Sequence, residues 1–187
     1  SKAPALARAL LDGGISVMEL TFRTDAAADA IRAVCRETPE MAVCAGTVLT
    51  PEQAQEALLA GAKAIVSPGT NEEVVRFCLA HGVPVIPGVA TPTEAEACMR
   101  MGLNTVKLFP AEVLGGTAML KALAGPYAKL RFMPTGGINL RNLPEYLRLP
   151  NVLCCGGSWI APEKLIDAGD FGAITELARE AAQAARG

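Results

Sequence analysis

Histidine is almost missing from this chain: His81 is the only one in 187 residues. It stands just before Gly82, where a last helical turn is expected, and a histidine at a helix C-terminus suits the helix dipole. Zinc sites built on several histidines and triads that need a histidine base are therefore excluded. Long apolar runs are absent too. None reaches the ~18 to 20 residues of a membrane-spanning helix, and the chain does not open on a signal-like segment. Neither sign of charge dominates: the formal net charge is -2 with acids and bases mixed along the chain. There is thus no broad electrostatic footprint for nucleic acid or an acidic membrane surface, and an anionic ligand must be met locally. The six cysteines (Cys35, Cys44, Cys78, Cys98, Cys154 and Cys155) show no Cys-x-x-Cys spacing. They read as small core residues of a reducing compartment, with the adjacent pair pointing to opposite faces of a strand. A cytoplasmic location is expected.

What is present points to one globular domain over residues 1–187, since 51% of residues are hydrophobic and 19% charged, enough apolar surface for a sizeable core. Short β-rich runs near Val17 to Phe22, Met41 to Ala45, Ala64 to Ser67, Val83 to Ile86, Thr105 to Phe109, Arg131 to Met133 and Val152 to Cys155 alternate with helical patterns. Their starts lie about 19 to 26 residues apart, the length of a βα unit in a parallel sheet. Thr50-Pro51-Glu52-Gln53 and Thr91-Pro92-Thr93-Glu94 each offer an N-cap threonine, a proline at the first helical position and an acid or amide at the third. Gly61, Gly82, Gly102 and Gly125 fall where C-caps belong. The chain opens on a helix, Pro4 to Asp12, and closes on another, Phe171 to Ala185. A leading helix in a βα series implies a strand before it. Seven visible strands plus that one make the eight of a (β/α)8 barrel, so an α/β fold of the TIM-barrel class is expected, with its first strand missing from this chain.

Lys107 is the residue that most needs a reason. It sits in Thr105-Val106-Lys107-Leu108-Phe109-Pro110, where alternation puts Thr105, Lys107 and Phe109 on one strand face. Burial disfavours the ammonium form, and a desolvated lysine amine attacks carbonyls to form Schiff bases. The alternative is a strand-end lysine whose stem packs on apolar surface while its head reaches water. Alternation likewise places Glu19, Thr21 and Arg23 on one face of the first strand and Met18, Leu20 and Phe22 on the other. The apolar set suits the helices and the polar set the barrel interior. A strand carboxylate buried there is either an acid–base group or half of an internal ion pair with Arg23 or Lys107. Thr47 ends the next strand, as a ligand contact or a cap. Thr135-Gly136-Gly137 and Gly156-Gly157-Ser158 end the last two, where barrels of this class hold phosphate with backbone N–H groups.

In chain order, Glu19-Leu20-Thr21-Phe22-Arg23, Ala45-Gly46-Thr47-Val48, Ser67-Pro68-Gly69, Ile86-Pro87-Gly88, Val106-Lys107-Leu108-Phe109-Pro110-Ala111-Glu112, Pro134-Thr135-Gly136-Gly137 and Gly156-Gly157-Ser158-Trp159 resemble the 2-keto-3-deoxy-6-phosphogluconate (KDPG) aldolase family almost end to end. The resemblance implies a trimeric, cofactor-free and metal-free class I aldolase that yields pyruvate and D-glyceraldehyde 3-phosphate, often also acting on 4-hydroxy-2-oxoglutarate. It implies Lys107 as the Schiff-base lysine and Glu19 as the general acid/base. Arg23 and Thr47 would hold the substrate carboxylate. Thr135, Gly136, Gly137, Gly157 and Ser158 would line the phosphate end, with Pro68 and Phe109 walling the pocket. Two other readings stay open at this point: a phosphosugar isomerase or epimerase using Glu19 without covalent catalysis, and an inactive barrel serving as a scaffold or assembly subunit.

Overall fold

In the computed structural model, which describes residues 2–186, helices and parallel strands alternate. The order is α1 (Ala3–Asp12), β1 (Val17–Thr21), α2 (Ala27–Glu37), β2 (Ala42–Gly46), α3 (Pro51–Ala60), β3 (Ala64–Val66), α4 (Glu72–Ala80), β4 (Val85–Ile86), β5 (Gly88–Val89), α5 (Pro92–Arg100), β6 (Thr105–Leu108), α6 (Gly116–Ala124), β7 (Arg131–Pro134), α7 (Leu143–Leu147), α8 (Glu163–Ala168) and α9 (Phe171–Ala184). The strands form two parallel sheets in chain order, β1-β2-β3-β4 and β5-β6-β7. Among the described residues no helix is long and apolar enough to cross a membrane.

Both threonine caps form as their sequences predict. Thr50 Oγ1 accepts the Gln53 N–H at 3.2 Å, and at Thr91 the full capping box closes, with Glu94 accepting the Thr91 N–H at 2.9 Å. Gly61 caps α3 in the left-handed region, whereas Gly125 ends α6 at φ -65° and needs no such freedom. The five-residue α7 and six-residue α8 leave no periodic signature long enough to read in advance.

Two expected strands come out differently. The run at Val83 to Ile86 becomes a split strand, β4 pairing with β3 and β5 pairing with β6, broken at Pro87. Proline has no N–H to give a ladder. Its carbonyl still serves, accepting the Lys107 N–H at 2.8 Å. The run at Val152 to Cys155 forms no regular strand, only isolated parallel bridges, Phe132 to Val152 and Thr135 to Gly156. The register slips by one residue between those bridges, a bulge opposite Pro134, which again lacks a donor. Among the described residues β1 pairs only with β2, and residues 151–156 pair only with β7 and the Thr135 that follows it, so no ladder joins these two edges.

The core divides at the same seam. One cluster packs α1 to α4 onto β1 to β4, around Ile31, Val34, Val43, Ala45 and Ile65; the other packs α5 to α7 onto β5 to β7, around Val106, Leu108, Leu120, Phe132 and Tyr146. Met101 and Leu103 touch both. Each fully buried valine, leucine or isoleucine stabilises the fold by about 1.5–3 kcal/mol. On the outside, α1 lies against α9 so closely that a Cβ on Gly13 would stand 2.4 Å from that of Ala178. Thr175 Oγ1 donates to the Ala9 carbonyl across that contact at 3.1 Å.

Candidate active site

Lys107 is buried at 5% exposure, the third residue of β6. Its Nζ stands 3.5 Å from Glu19 Oε1 and 5.3 Å from the centroid of the Phe109 ring. The strand pattern explains why. Val106 and Leu108 fill the core beneath the helices, leaving Lys107 on the opposite face, and Met18 does the same for Glu19 on β1. Lys107 is the most buried charged side chain described, with only 6% of the side chain exposed, far less than a snorkelling lysine shows. The amine is therefore desolvated, walled by an aromatic ring and faced by one carboxylate. Those are the parts needed to make and use a carbonyl adduct.

Glu19 lies flat across the end of β2. A Cβ on Gly46 would fall 2.0 Å from Glu19 Oε1 and 2.5 Å from its Cγ and Cδ, so the missing side chain at Gly46 is the space the carboxylate occupies. Cys44, the register partner of Glu19, feels the same charge: its thiol is pushed up first by burial, then by the Glu19 carboxylate and then by Cys154. The next residue, Thr47, is the only non-glycine with positive φ, at 57°, among the described residues. Such a backbone costs about 1–2 kcal/mol. It is held by Val48, which is fully buried and donates to the Val66 carbonyl at 3.2 Å.

Pro68 follows β3, and its carbonyl presses on Gly88, where a Cβ would come within 2.0 Å. Gly88 is in register with Lys107, so Pro68 stands one strand further round from the amine. At the C-terminal end of β7 a Cβ on Gly156 would meet Thr135 Oγ1 at 2.4 Å, which brings Thr135-Gly136-Gly137 and Gly156-Gly157-Ser158 together. Gly136 and Gly137 have φ of 99° and 83°. The N–H groups of Gly137, Gly157 and Ser158 have no hydrogen-bond partner among the described residues, and Gly157 and Ser158 are exposed. Met133 is the register partner of Lys107, so Thr135 lies two residues, about 7 Å, beyond it along the strand.

Arg23 is set apart. It is exposed on the loop after β1, in a shallow cleft with Asp25, Gln53 and Glu56, and its guanidinium has no partner among the described residues. Three residues that the sequence reading passed over matter here: Gly46, Gly88 and Glu112. The first two carried a usable signal, since glycine inside a strand pattern marks close approach of another group. Glu112 carried none, because its main contacts come from α7 and from the loop after β7, far away in the chain. The expectation that all six cysteines are core residues needs correcting: Cys78 and Cys98 are buried, but Cys154 is exposed and the others are half-buried. The bulge opposite Pro134 shifts the register just where Cys154 and Cys155 stand. No group of three or more histidine, cysteine, aspartate or glutamate side chains that could hold a metal ion occurs among the described residues.

Comparison with known proteins identifies the family. A family profile described as KDPG and KHG aldolase matches residues 1–177. The chain is 56% identical over 181 residues to the 2-dehydro-3-deoxy-phosphogluconate aldolase of Treponema pallidum (strain Nichols), covering 97% of this chain and 86% of that protein. It is 47% identical over 184 residues to the KHG/KDPG aldolase of Escherichia coli (strain K12), covering 98% and 86%. Among solved structures, the KDPG aldolase of Legionella pneumophila, with pyruvate captured as a covalent carbinolamine intermediate, superposes with a TM-score of 0.92 at 44% identity, over 95% of this chain and 86% of that one. The chain belongs to the KDPG and KHG aldolase family.

Proposed function

We propose that this protein is a class I aldolase that cleaves 2-keto-3-deoxy-6-phosphogluconate to pyruvate and D-glyceraldehyde 3-phosphate, and that it also accepts 4-hydroxy-2-oxoglutarate. The observation that carries the reading is the buried Lys107 amine facing Glu19 at 3.5 Å. The neutral amine attacks the C2 carbonyl, and the carbinolamine loses water to give an iminium. Glu19 takes the proton of the C4 hydroxyl, the C3–C4 bond breaks, and its electron pair moves into the enamine as the aldehyde forms. Glu19 then returns a proton to C3 and water releases pyruvate from Lys107. General acid–base help of this kind contributes about 10²–10⁴-fold.

Around that pair, Arg23 and Thr47 take the substrate carboxylate. Arg23, exposed on the loop that follows the Glu19 strand, supports this role by carrying an uncommitted planar fork, and guanidinium matches a carboxylate bidentately. Thr135, Gly136, Gly137, Gly157 and Ser158 take the phosphate, supported by unpartnered N–H groups at Gly137, Gly157 and Ser158. Pro68 and Phe109 wall the pocket. The architecture reads as one (β/α)8 barrel domain in which a further strand lies between β1 and residues 151–156 and satisfies both open edges. The protein works as a cytoplasmic homotrimer.

Borohydride reduction with pyruvate tests the reading. A mass increase confined to the peptide holding Lys107 is expected. Labelling at another lysine, or none, overturns the assignment, and an isomerase or epimerase without covalent catalysis gives none.

A further inference from the structure

Glu112, exposed in a cleft between α6 and α7, is built into the end of the site without reaching the reacting pair. Its stem lies over Gly137, where a Cβ would stand 2.5 Å from Glu112 Cγ and 2.6 Å from its Cβ. Its N–H donates to the Gly136 carbonyl at 3.1 Å, beside the Ala111 N–H on the Thr135 carbonyl at 2.8 Å. Its carboxylate accepts the Tyr146 hydroxyl and covers Gly116, where a Cβ would come within 2.8 Å of Oε1. Tyr146 is fully buried in the second core cluster. Burial first, and then the bond to Glu112, push the Tyr146 hydroxyl well above the ordinary phenol range, so it remains a donor. The carbonyl of Gly137 is also taken, by the side-chain amides of Asn142 at 3.0 Å and Asn139 at 3.3 Å.

Together these contacts clamp a loop made of two glycines, the least self-rigid backbone available. We infer that Glu112 is a positioning residue: anchored by Tyr146, it clamps the Gly136–Gly137 turn against the loop leaving the Lys107 strand, and so sets the backbone that receives the phosphate of the aldehyde half of the substrate. The inference rests on the reading of this turn as the phosphate end. It assigns Glu112 no contact with substrate.

The test uses Glu112→Ala, Glu112→Gln and Tyr146→Phe in the full chain. Condensation of pyruvate is followed with D-glyceraldehyde 3-phosphate and with unphosphorylated D-glyceraldehyde, alongside deuterium exchange at the pyruvate methyl, which needs the amine and the base but no phosphate. Glu112→Ala should raise KM for the phosphorylated aldehyde about tenfold. KM for the unphosphorylated one and the exchange rate should stay within about twofold of the parent. Glutamine keeps the stem and an acceptor for Tyr146, so Glu112→Gln should recover most of the loss. Tyr146→Phe should fall between the two variants. Equal losses with both aldehydes and in exchange, or no loss, overturn the inference. If Glu112→Ala does not fold, the other two variants decide it by the same comparison. The parent protein separates the two levels: no preference for the phosphorylated aldehyde overturns the phosphate reading and the inference together, whereas a parent preference that survives in all variants overturns the inference alone.

Discussion

Gly46→Ala should disable cleavage while leaving the lysine able to form its adduct. The backbone of Gly46 is not in the left-handed region, so alanine is tolerated there as a conformation, and the obstacle is a single atom. The new Cβ would stand 2.0 Å from Glu19 Oε1 and 2.5 Å from its Cγ and Cδ. Ordinary contact begins at 3.4 Å, so the Glu19 side chain has to retreat by about 1 to 1.5 Å. The half-buried carboxylate gives way more readily than the paired strands do. A displacement of about 1 Å in a catalytic group costs on the order of 10²-fold. We therefore expect kcat for cleavage to fall about 100-fold, with a destabilisation of about 1–3 kcal/mol from overpacking and a lower Tm. Cleavage is measured by coupled reduction of the released aldehyde, folding by thermal denaturation, and the adduct by borohydride trapping with pyruvate. Glu19→Gln sets the floor, because an amide cannot shuttle the proton. The reasoning is refuted if folded Gly46→Ala cleaves within about threefold of the parent while Glu19→Gln does not. Loss of trapping together with cleavage refutes it too, since Lys107 is not displaced.

Other expectations follow from the same geometry. Ser158→Ala should weaken use of the phosphorylated aldehyde relative to the unphosphorylated one by about 1.5–3 kcal/mol, one hydrogen bond to a charged group; equal loss with both moves the phosphate elsewhere. Thr47→Gly should relieve the strain at φ 57° and keep or raise Tm, yet raise KM for pyruvate in condensation, so a fall in Tm with KM unchanged refutes the role given to Thr47. On the alkaline side, burial lifts the Cys78 thiol to about 11 from its ordinary 9.0, so above pH 9 the unfolded chain loses a proton that the folded chain keeps. Stability should fall as pH rises from 9 toward 11, and Cys78→Ala should flatten that slope; an unchanged slope assigns it to another group.

The sequence speaks clearly where chemistry or backbone rules act locally. Thr-Pro-x-Glu and Thr-Pro-x-Gln announce helix starts because cap and partner lie within one turn. A lysine in a run of strand formers and a glutamate alternating with apolar neighbours announce an inward-facing pair because the period of a strand assigns faces. It falls silent where a contact joins residues far apart. The bulge opposite Pro134, the break at Pro87, the bed that Gly46 makes for Glu19 and the bond from Tyr146 to Glu112 depend on which segments become neighbours. Arg23 illustrates a third case, since its strand register was legible but the place of a long side chain beyond the strand end was not.

The break at Pro87 divides more than a ladder. Glu19 belongs to the half built on β1 to β4 and Lys107 to the half built on β5 to β7, so the pair proposed to react straddles the line along which the two core clusters meet. Neither half holds a working site alone, and the distance between amine and carboxylate reports how well the halves are seated. A loosening of that seam in mild denaturant, too small to melt a helix or expose either core, would be enough to part the two groups. Activity in a denaturant series is therefore expected to fall before the circular dichroism signal changes.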